Sequence, residues 1–394
     1  MPRLTLLLLA SVSCVVPCAA EGGVYSFTRI ADVLPNTFPL GSDGPAINNQ
    51  GDVAFTAALA SSPLPLPQSI AVYRSHGQSL TTIYNPNPLR PVSGQPAIND
   101  SGVVVFRVVD GAQTSLLTGT GGPNPLIDSR AVLGTRATIS NDGTIAYFAS
   151  ESIFSDSGIY TNNGTGPTDI AFSSALSGGH VGLIVSGLVG EPQISRGGTL
   201  AYVFPESSAQ PLGPLALYLK QGSTTTPMLE SLGLPLAYSV NDAGTVAYIG
   251  SIQGQLGLYA IDDGTTTPIV QPNPFPELTF WPWSRVSINN AGQVAFGAID
   301  PRTGLGIPGI FTGPDPDSNK VITAGDELDG STVTGISFGP NGLNDLGQIA
   351  FVAHFGGGRA VIYTATPVPE PSTVVLLALG FTVLAASRLR RQRS

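Results

Sequence analysis

Ile47-Asn48-Asn49-Gln50-Gly51-Asp52-Val53-Ala54-Phe55 recurs six more times along this chain, as INDSGVVVF (Ile98 to Phe106), ISNDGTIAY (Ile139 to Tyr147), ISRGGTLAY (Ile194 to Tyr202), VNDAGTVAY (Val240 to Tyr248), INNAGQVAF (Ile288 to Phe296) and LNDLGQIAF (Leu343 to Phe351). A repeat at a near-constant period sets the architecture before any single residue is weighed. Asn or Ser opens each turn and caps it with its side chain, and Gly takes the positive φ that closes it, so each copy reads as a tight hairpin turn. After the Gly, Val53 and Phe55 point to one face of a strand and Ala54 to the other. Both faces are apolar, as befits a strand buried between two neighbouring sheets.

A second motif follows each copy: AVY (Ala71 to Tyr73), SLL (Ser115 to Leu117), GIY (Gly158 to Tyr160), ALY (Ala216 to Tyr218), GLY (Gly257 to Tyr259), GIF (Gly309 to Phe311) and VIY (Val361 to Tyr363). Short apolar pairs such as Ile83-Tyr84, Ile269-Val270 and Val321-Ile322 come after that, beyond a polar turn. One unit therefore holds four short strands. The turn glycines, Gly51, Gly102, Gly143, Gly198, Gly244, Gly292 and Gly347, are 41 to 55 residues apart, the length of a propeller blade. The last copy is followed only by its Tyr strand, and the missing outer strand is at the other end of the chain, in Val24 to Val33. The expectation is an all-β, seven-bladed β-propeller whose N-terminal strands complete the seventh sheet and close the ring; an open array or two smaller β-domains is the alternative.

Composition agrees, since 48 Gly and 34 Pro with 11% charged residues favour short strands and turns, and 42% apolar residues argue against general disorder. Met1-Pro2-Arg3, an apolar run from Leu4 to Val16, and Pro17-Cys18-Ala19-Ala20 have the layout of a secretory signal peptide over 1–20, cleaved by signal peptidase after Ala20. Both cysteines, Cys14 and Cys18, leave with it, so the mature protein has no thiol or disulfide chemistry. Without Arg3 and the four terminal arginines, 12 basic residues face 26 acidic ones. Such a surface repels nucleic acid and anionic lipid.

Residues 21–366 form the repeat domain, and 367–394 change character. Pro369-Glu370-Pro371 leads into an apolar run from Val374 to Ala386 and a basic tail with Arg388, Arg390, Arg391 and Arg393. This reads as a short membrane helix whose arginines stay cytoplasmic, below the roughly 20 residues of a comfortable span. In order and in all three parts the segment resembles the PEP-CTERM sorting signal of Gram-negative bacteria. The resemblance implies passage through the inner membrane, processing by an exosortase near Pro369-Glu370-Pro371, and a cell-surface or extracellular destination, often beside exopolysaccharide. With that tail, the units resemble the Asn-x-x-Gly-x-x-Ala-Phe repeat proteins that carry interchangeable surface anchors. Here Ser140 and Ser195 replace the Asn, Val105 the Ala, and Tyr147, Tyr202 and Tyr248 the Phe. That family brings no activity with it.

Four groups of residues are candidates for a site. Asn48, Asn99, Asp100, Asp142, Asn241, Asp242, Asn289, Asn344 and Asp345 would share one rim, where their oxygens suit calcium or a glycan, although turn capping alone demands these residue types. The acidic stretches Asp315 to Asn319 and Asp326 to Gly330 lack the ligand spacing of an EF-hand, which favours solvated loops over calcium. Trp281 and Trp283, in Phe280-Trp281-Pro282-Trp283, could stack on a sugar, against a simpler role in packing between blades. His76, His180 and His354 are scattered, with no zinc spacing and no nucleophile elbow. No cofactor is expected beyond calcium. The favoured reading is an exported display module, binding or structural, with exopolysaccharide or a surface protein as partner. A secreted propeller hydrolase or lyase acting on polysaccharide is the alternative, because carboxylates converging from different blades leave no local signature.

Overall fold

The computed structural model describes residues 25–34, 44–59, 70–85, 90–111, 113–130, 132–150, 157–173, 191–206, 214–232, 237–270, 278–280, 284–303 and 307–368. Ala20 with the predicted signal peptide, and the predicted membrane helix with its basic tail, lie outside the described residues. Within them the chain is a seven-bladed β-propeller, six of whose sheets are four-stranded antiparallel meanders. Blade 1 is representative: Ala46–Ile47 nearest the axis, then Val53–Ala57, Ala71–His76 and Ser79–Tyr84 at the rim.

The two sequence motifs meet in register inside every blade. Phe55 lies opposite Tyr73, Phe106 opposite Leu117, Tyr147 opposite Tyr160, Tyr202 opposite Tyr218, Tyr248 opposite Tyr259, Phe296 opposite Phe311, and Phe351 opposite Tyr363. Several of these pairs stack, with Tyr202 and Tyr218 at 5.3 Å between ring centroids and 19° between planes. Cross-strand aromatic pairs of this kind each add up to about 1 kcal/mol to a sheet. The opposite face carries Ala, and the small side chain makes room for the aromatic of the next blade. Ala54 thus packs with Val104 and Phe106, and Ala247 with Val294 and Phe296. Each blade-to-blade interface is one apolar cluster of this construction. The cluster joining Ala350 and Val352 to Val53 and Phe55 is the interface between blade 7 and blade 1, so the ring is closed.

Closure comes from the N-terminus, as expected, though through a single strand. Tyr25–Val33 pairs antiparallel with Ala360–Pro367 and supplies the outer strand of blade 7. Its register is diagnostic. In each of the other six blades the outer strand slips by one residue opposite the Tyr motif, leaving Ile83, Ile127, Ile170, Met228, Ile269 or Val321 as the extra residue of a β-bulge. Tyr25–Val33 makes the same slip at Ile30. The bulge explains the apolar pairs in the sequence, because it lets two adjacent residues meet one partner. It also twists and blunts the rim strands, which would otherwise offer open edges.

Blade 7 departs from the four-strand expectation. Glu327–Leu328 adds a fifth strand by a hairpin onto the long inner strand Ser331–Leu343. That inner strand loses register between Phe338 and Leu343, and the displaced Pro340 and Asn341 turn toward the axis. Gly44 of blade 1 rides against it so closely that a Cβ there would lie 2.6 Å from the Phe338 Cα.

Candidate functional site

The seven Asn/Ser-x-x-Gly turns converge around the axis at one face of the ring, and they form the largest constellation of polar side chains in the described residues. Each is a type I turn closed by glycine in the left-handed region, with φ between 74° and 95°. In blade 1 the Gly51 N–H donates to the Asn48 carbonyl at 3.1 Å and the Asn48 N–H to the Asp52 carbonyl at 3.0 Å.

The Asn that opens the turn has two roles, only one of which is local. Asn48 Oδ1 accepts from the Gln50 and Asp52 N–H groups at 3.1 and 2.8 Å, the capping expected from sequence. Its Nδ2 donates across the blade boundary to the Asn99 carbonyl at 3.0 Å. The same latch runs from Asn99 to Ser140, from Asn241 to Asn289, from Asn289 to Asn344, and from Asn344 back to Asn48. Ser140 and Ser195 have no amide to donate, and other bonds take over there. The Asn141 N–H donates to the Arg196 carbonyl at 2.8 Å, and Thr199 Oγ1 to the Asp242 carbonyl at 3.1 Å.

The second turn position forms a further ring: Asn49, Asp100, Asn141, Arg196, Asp242, Asn290 and Asp345. No two aspartates are neighbours. A seven-membered ring cannot alternate perfectly, and the odd place is taken by a cation. Asn49 Nδ2 donates to Asp100 Oδ2 at 3.1 Å and to Asp345 Oδ2 at 2.7 Å; Asn290 Nδ2 donates to Asp242 Oδ2 at 2.8 Å and to Asp345 Oδ2 at 3.1 Å. Arg196 reaches past blade 3 to Asp100 Oδ1 at 3.1 Å and to the Ile47 carbonyl at 3.0 Å. The alternation is visible once the seven copies are aligned, but the contacts it makes are not.

These bonds occupy the carboxylates from several sides. Asp100 alone receives Asn49 N–H, Asn49 Nδ2, Asn141 Nδ2 and Arg196. A calcium ion needs six to eight oxygen ligands, and among the described residues no group of three His, Cys, Asp or Glu is placed to hold a metal. The turn-opening residues are buried, with Asn48 and Asn344 at 0% exposure, so they do not form the open calcium or glycan rim considered above. Behind the turns, Ile47, Ile98, Ile139, Ile194, Val240, Ile288 and Leu343 fill the axis, and with Pro340 and Asn341 they leave a cavity of ≈ 50 Å³. That volume holds a few waters; small-molecule sites are about 300 Å³ or more.

The other candidates separate in space. Asp315 accepts the Asp317 and Ser318 N–H groups, which hold its carboxyl below the usual range, and Arg302 ties Asp317 to Asp300. Asp326 is bound to Lys320 and Thr323, and Asp329 accepts the Tyr363 hydroxyl at 2.6 Å. These clusters are stitched turns. His76 is exposed and paired with Asp52 at 2.7 Å. His354 lies 3.0 Å from Ser337 Oγ, a nucleophile–base spacing, but the two are 6% and 2% exposed, and burial pushes the imidazole down to about 4. Phe280 packs on Phe296, whereas Trp281, Trp283, His180, Pro369, Glu370, Pro371, Arg388, Arg390, Arg391 and Arg393 lie outside the described residues.

The model of a family of unknown function, DUF7453, matches residues 89–360, and the PEP-CTERM protein-sorting motif matches residues 367–391. No curated protein sequence matches the chain. Among solved structures, the β-propeller domain of the Trilobed protease from Pyrococcus furiosus aligns at 9% identity and TM-score 0.52 over 88% of this chain and 99% of that one. The acylaminoacyl peptidase of Pyrococcus horikoshii aligns at 10% identity and TM-score 0.51 over 84% of this chain; the chain spans about half of that peptidase, 53%. At these identities the likeness is one of fold alone. The P. furiosus domain is described as having an open velcro topology, whereas here Tyr25–Val33 is hydrogen-bonded into blade 7.

Proposed function

We propose that this chain, which belongs to the family of unknown function DUF7453 and ends in a PEP-CTERM protein-sorting motif, is an exported display module whose rigid ring binds or scaffolds at the cell surface or in the extracellular matrix. The sorting motif implies processing by an exosortase and a surface or extracellular destination. The single observation that carries the reading is that this motif begins at residue 367, where the last strand of the closed ring ends. Residues 1–20 act as the signal peptide, with cleavage after Ala20, and the Arg-rich tail holds the precursor in the inner membrane. The resemblance to anchored Asn-x-x-Gly-x-x-Ala-Phe repeat proteins belongs to the same proposal. A display role also suits an axis that, among the described residues, narrows behind the turns to a cavity of ≈ 50 Å³, well below the size of small-molecule sites. Exopolysaccharide is the proposed polymer, with Trp281 and Trp283 as its stacking surface.

Replacing Pro369, Glu370 and Pro371 with alanine tests the address. The variant is expected to accumulate as an unprocessed, membrane-bound precursor, and normal maturation would overturn the sorting claim. The released parent protein, incubated with the producing cells' exopolysaccharide, is expected to bind saturably and to liberate no new reducing or unsaturated ends. Liberated ends would shift the reading to the hydrolase or lyase.

A further inference from the structure

The two exported ends leave the propeller together, and on a particular face. Tyr25 opens the closing strand and Pro367 ends its partner, and the two are paired in register. They are beside the Asn-x-x-Gly turn of blade 7: a Cβ on Gly347 would lie 3.1 Å from the Pro367 ring, and Gln348 Nε2 donates to Thr366 Oγ1 at 3.3 Å. Because every blade is an antiparallel meander, all seven such turns share that face. The connections from second to third strand, and from one blade to the next, leave from the opposite face.

We infer that in the membrane-held precursor the ring stands on its turn face, with the opposite face pointed away from the bilayer toward extracellular partners. This rests on the sorting reading above. Six residues, 368–373, separate the strand from the apolar run that begins at Val374, a reach of at most about 20 Å. Residues 21–24 tie the predicted signal peptide to the same spot, so both hydrophobic ends can occupy one membrane while the first and last strands pair. The turn face is acidic, with exposed Asp142, Asp262 and Asp263 around the Asp100, Asp242 and Asp345 ring. An anionic lipid surface repels it, so the tether and not adhesion sets the height.

Blade 7 supplies its own ruler. Leu346, 65% exposed, is in the turn, and Gly356 is at the far end of the strand Ile349–Phe355, about 20 Å away. A Cβ on Gly356 meets nothing within 4 Å. The chain's two cysteines, Cys14 and Cys18, both fall in the predicted signal peptide, so once each is replaced by serine Leu346→Cys and Gly356→Cys each give a single labelling site. Both are made in the full chain with Pro369, Glu370 and Pro371 replaced by alanine, labelled with a fluorophore, and reconstituted in vesicles containing lipids spin-labelled at the headgroup. The label at Leu346→Cys is expected to be quenched several-fold more strongly than that at Gly356→Cys. Equal or reversed quenching in a chain that resists carbonate extraction overturns the orientation and leaves the sorting reading standing. A chain that carbonate removes from the vesicles overturns both.

Discussion

Asn344→Ala tests whether the turn ring is what holds the blades in register. Asn344 is fully buried, and its removal strands the Leu346 and Gln348 N–H groups that its Oδ1 accepts at 3.1 and 2.9 Å, and takes from the Asn48 carbonyl the Nδ2 donor at 2.9 Å, leaving it the Gly51 N–H at 3.1 Å. Leu346 is exposed, so water replaces that bond at little cost. The Gln348 N–H costs about 1–3 kcal/mol when left unpaired, and loss of one of the two donors to the Asn48 carbonyl costs about 1 kcal/mol, which puts the variant roughly 2–4 kcal/mol below the parent. Asn344→Ser separates the two roles. A serine retains the local acceptor, as Ser195 does for the Thr199 N–H at 3.1 Å, and loses the Nδ2 donor, which serves the latch to blade 1 and Gln348 Oε1, for about 1–2 kcal/mol. Leu346→Ala, at the exposed tip of the same turn, is the control, within about 0.5 kcal/mol of the parent. The assay is guanidinium unfolding of the mature protein followed by circular dichroism, comparing midpoints at equal slope. An Asn344→Ala midpoint equal to that of the control would refute the reasoning, and equal losses for Ala and Ser would refute the division between cap and latch.

Gly292→Ala probes turn conformation by itself, since φ is +76° and a Cβ meets nothing within 4 Å, so the expected loss is about 1–2 kcal/mol. Gly244→Ala adds contacts of 2.9 Å with Leu219 and Gln221 and is expected to lose more; equal unfolding midpoints for the two would show that the added contacts relax freely. His354 gives the protein an acid limit. Burial depresses its folded-state proton affinity from 6.5 to about 4, so the unfolded chain takes up the proton first as pH falls. Stability from this group is therefore complete above pH 6.5 and is lost between 6.5 and about 4, by roughly 3 kcal/mol. His354→Gln is expected to flatten that part of the stability–pH curve; an unchanged slope would assign the acid sensitivity to other groups.

Blade boundaries, turn type and the source of the closing strand were legible in the sequence because each is written locally. Asn48 and Gly51 specify a turn within four residues, Val53-Ala54-Phe55 specifies a strand buried on both faces, and the unfinished seventh unit matched the unassigned Val24 to Val33. The outer-strand bulge was visible only as adjacent apolar residues such as Ile83-Tyr84, because one sequence cannot say which of two neighbours is out of register. The extra strand of blade 7 was not legible. Glu327–Leu328 is two residues long and pairs with Ser331 and Thr332 beyond the strand length that patterning resolves.

What the sequence determined by itself, then, is the repeating unit, its number and the C-terminal address, since turn chemistry, strand alternation and the sorting motif all act over a few neighbouring residues. Tertiary structure alone decided what the polar turn residues do. Asn48 and Asn344 are 296 positions apart, and Arg196 meets Asp100 across an intervening blade, so their bonds exist only once seven turns have been brought to one axis. The same convergence fills the channel with one aliphatic side chain from each blade, and it sets Tyr25 beside Pro367 on the turn face. Closing a ring brings together residues that are far apart along the chain, and no local pattern records that distance.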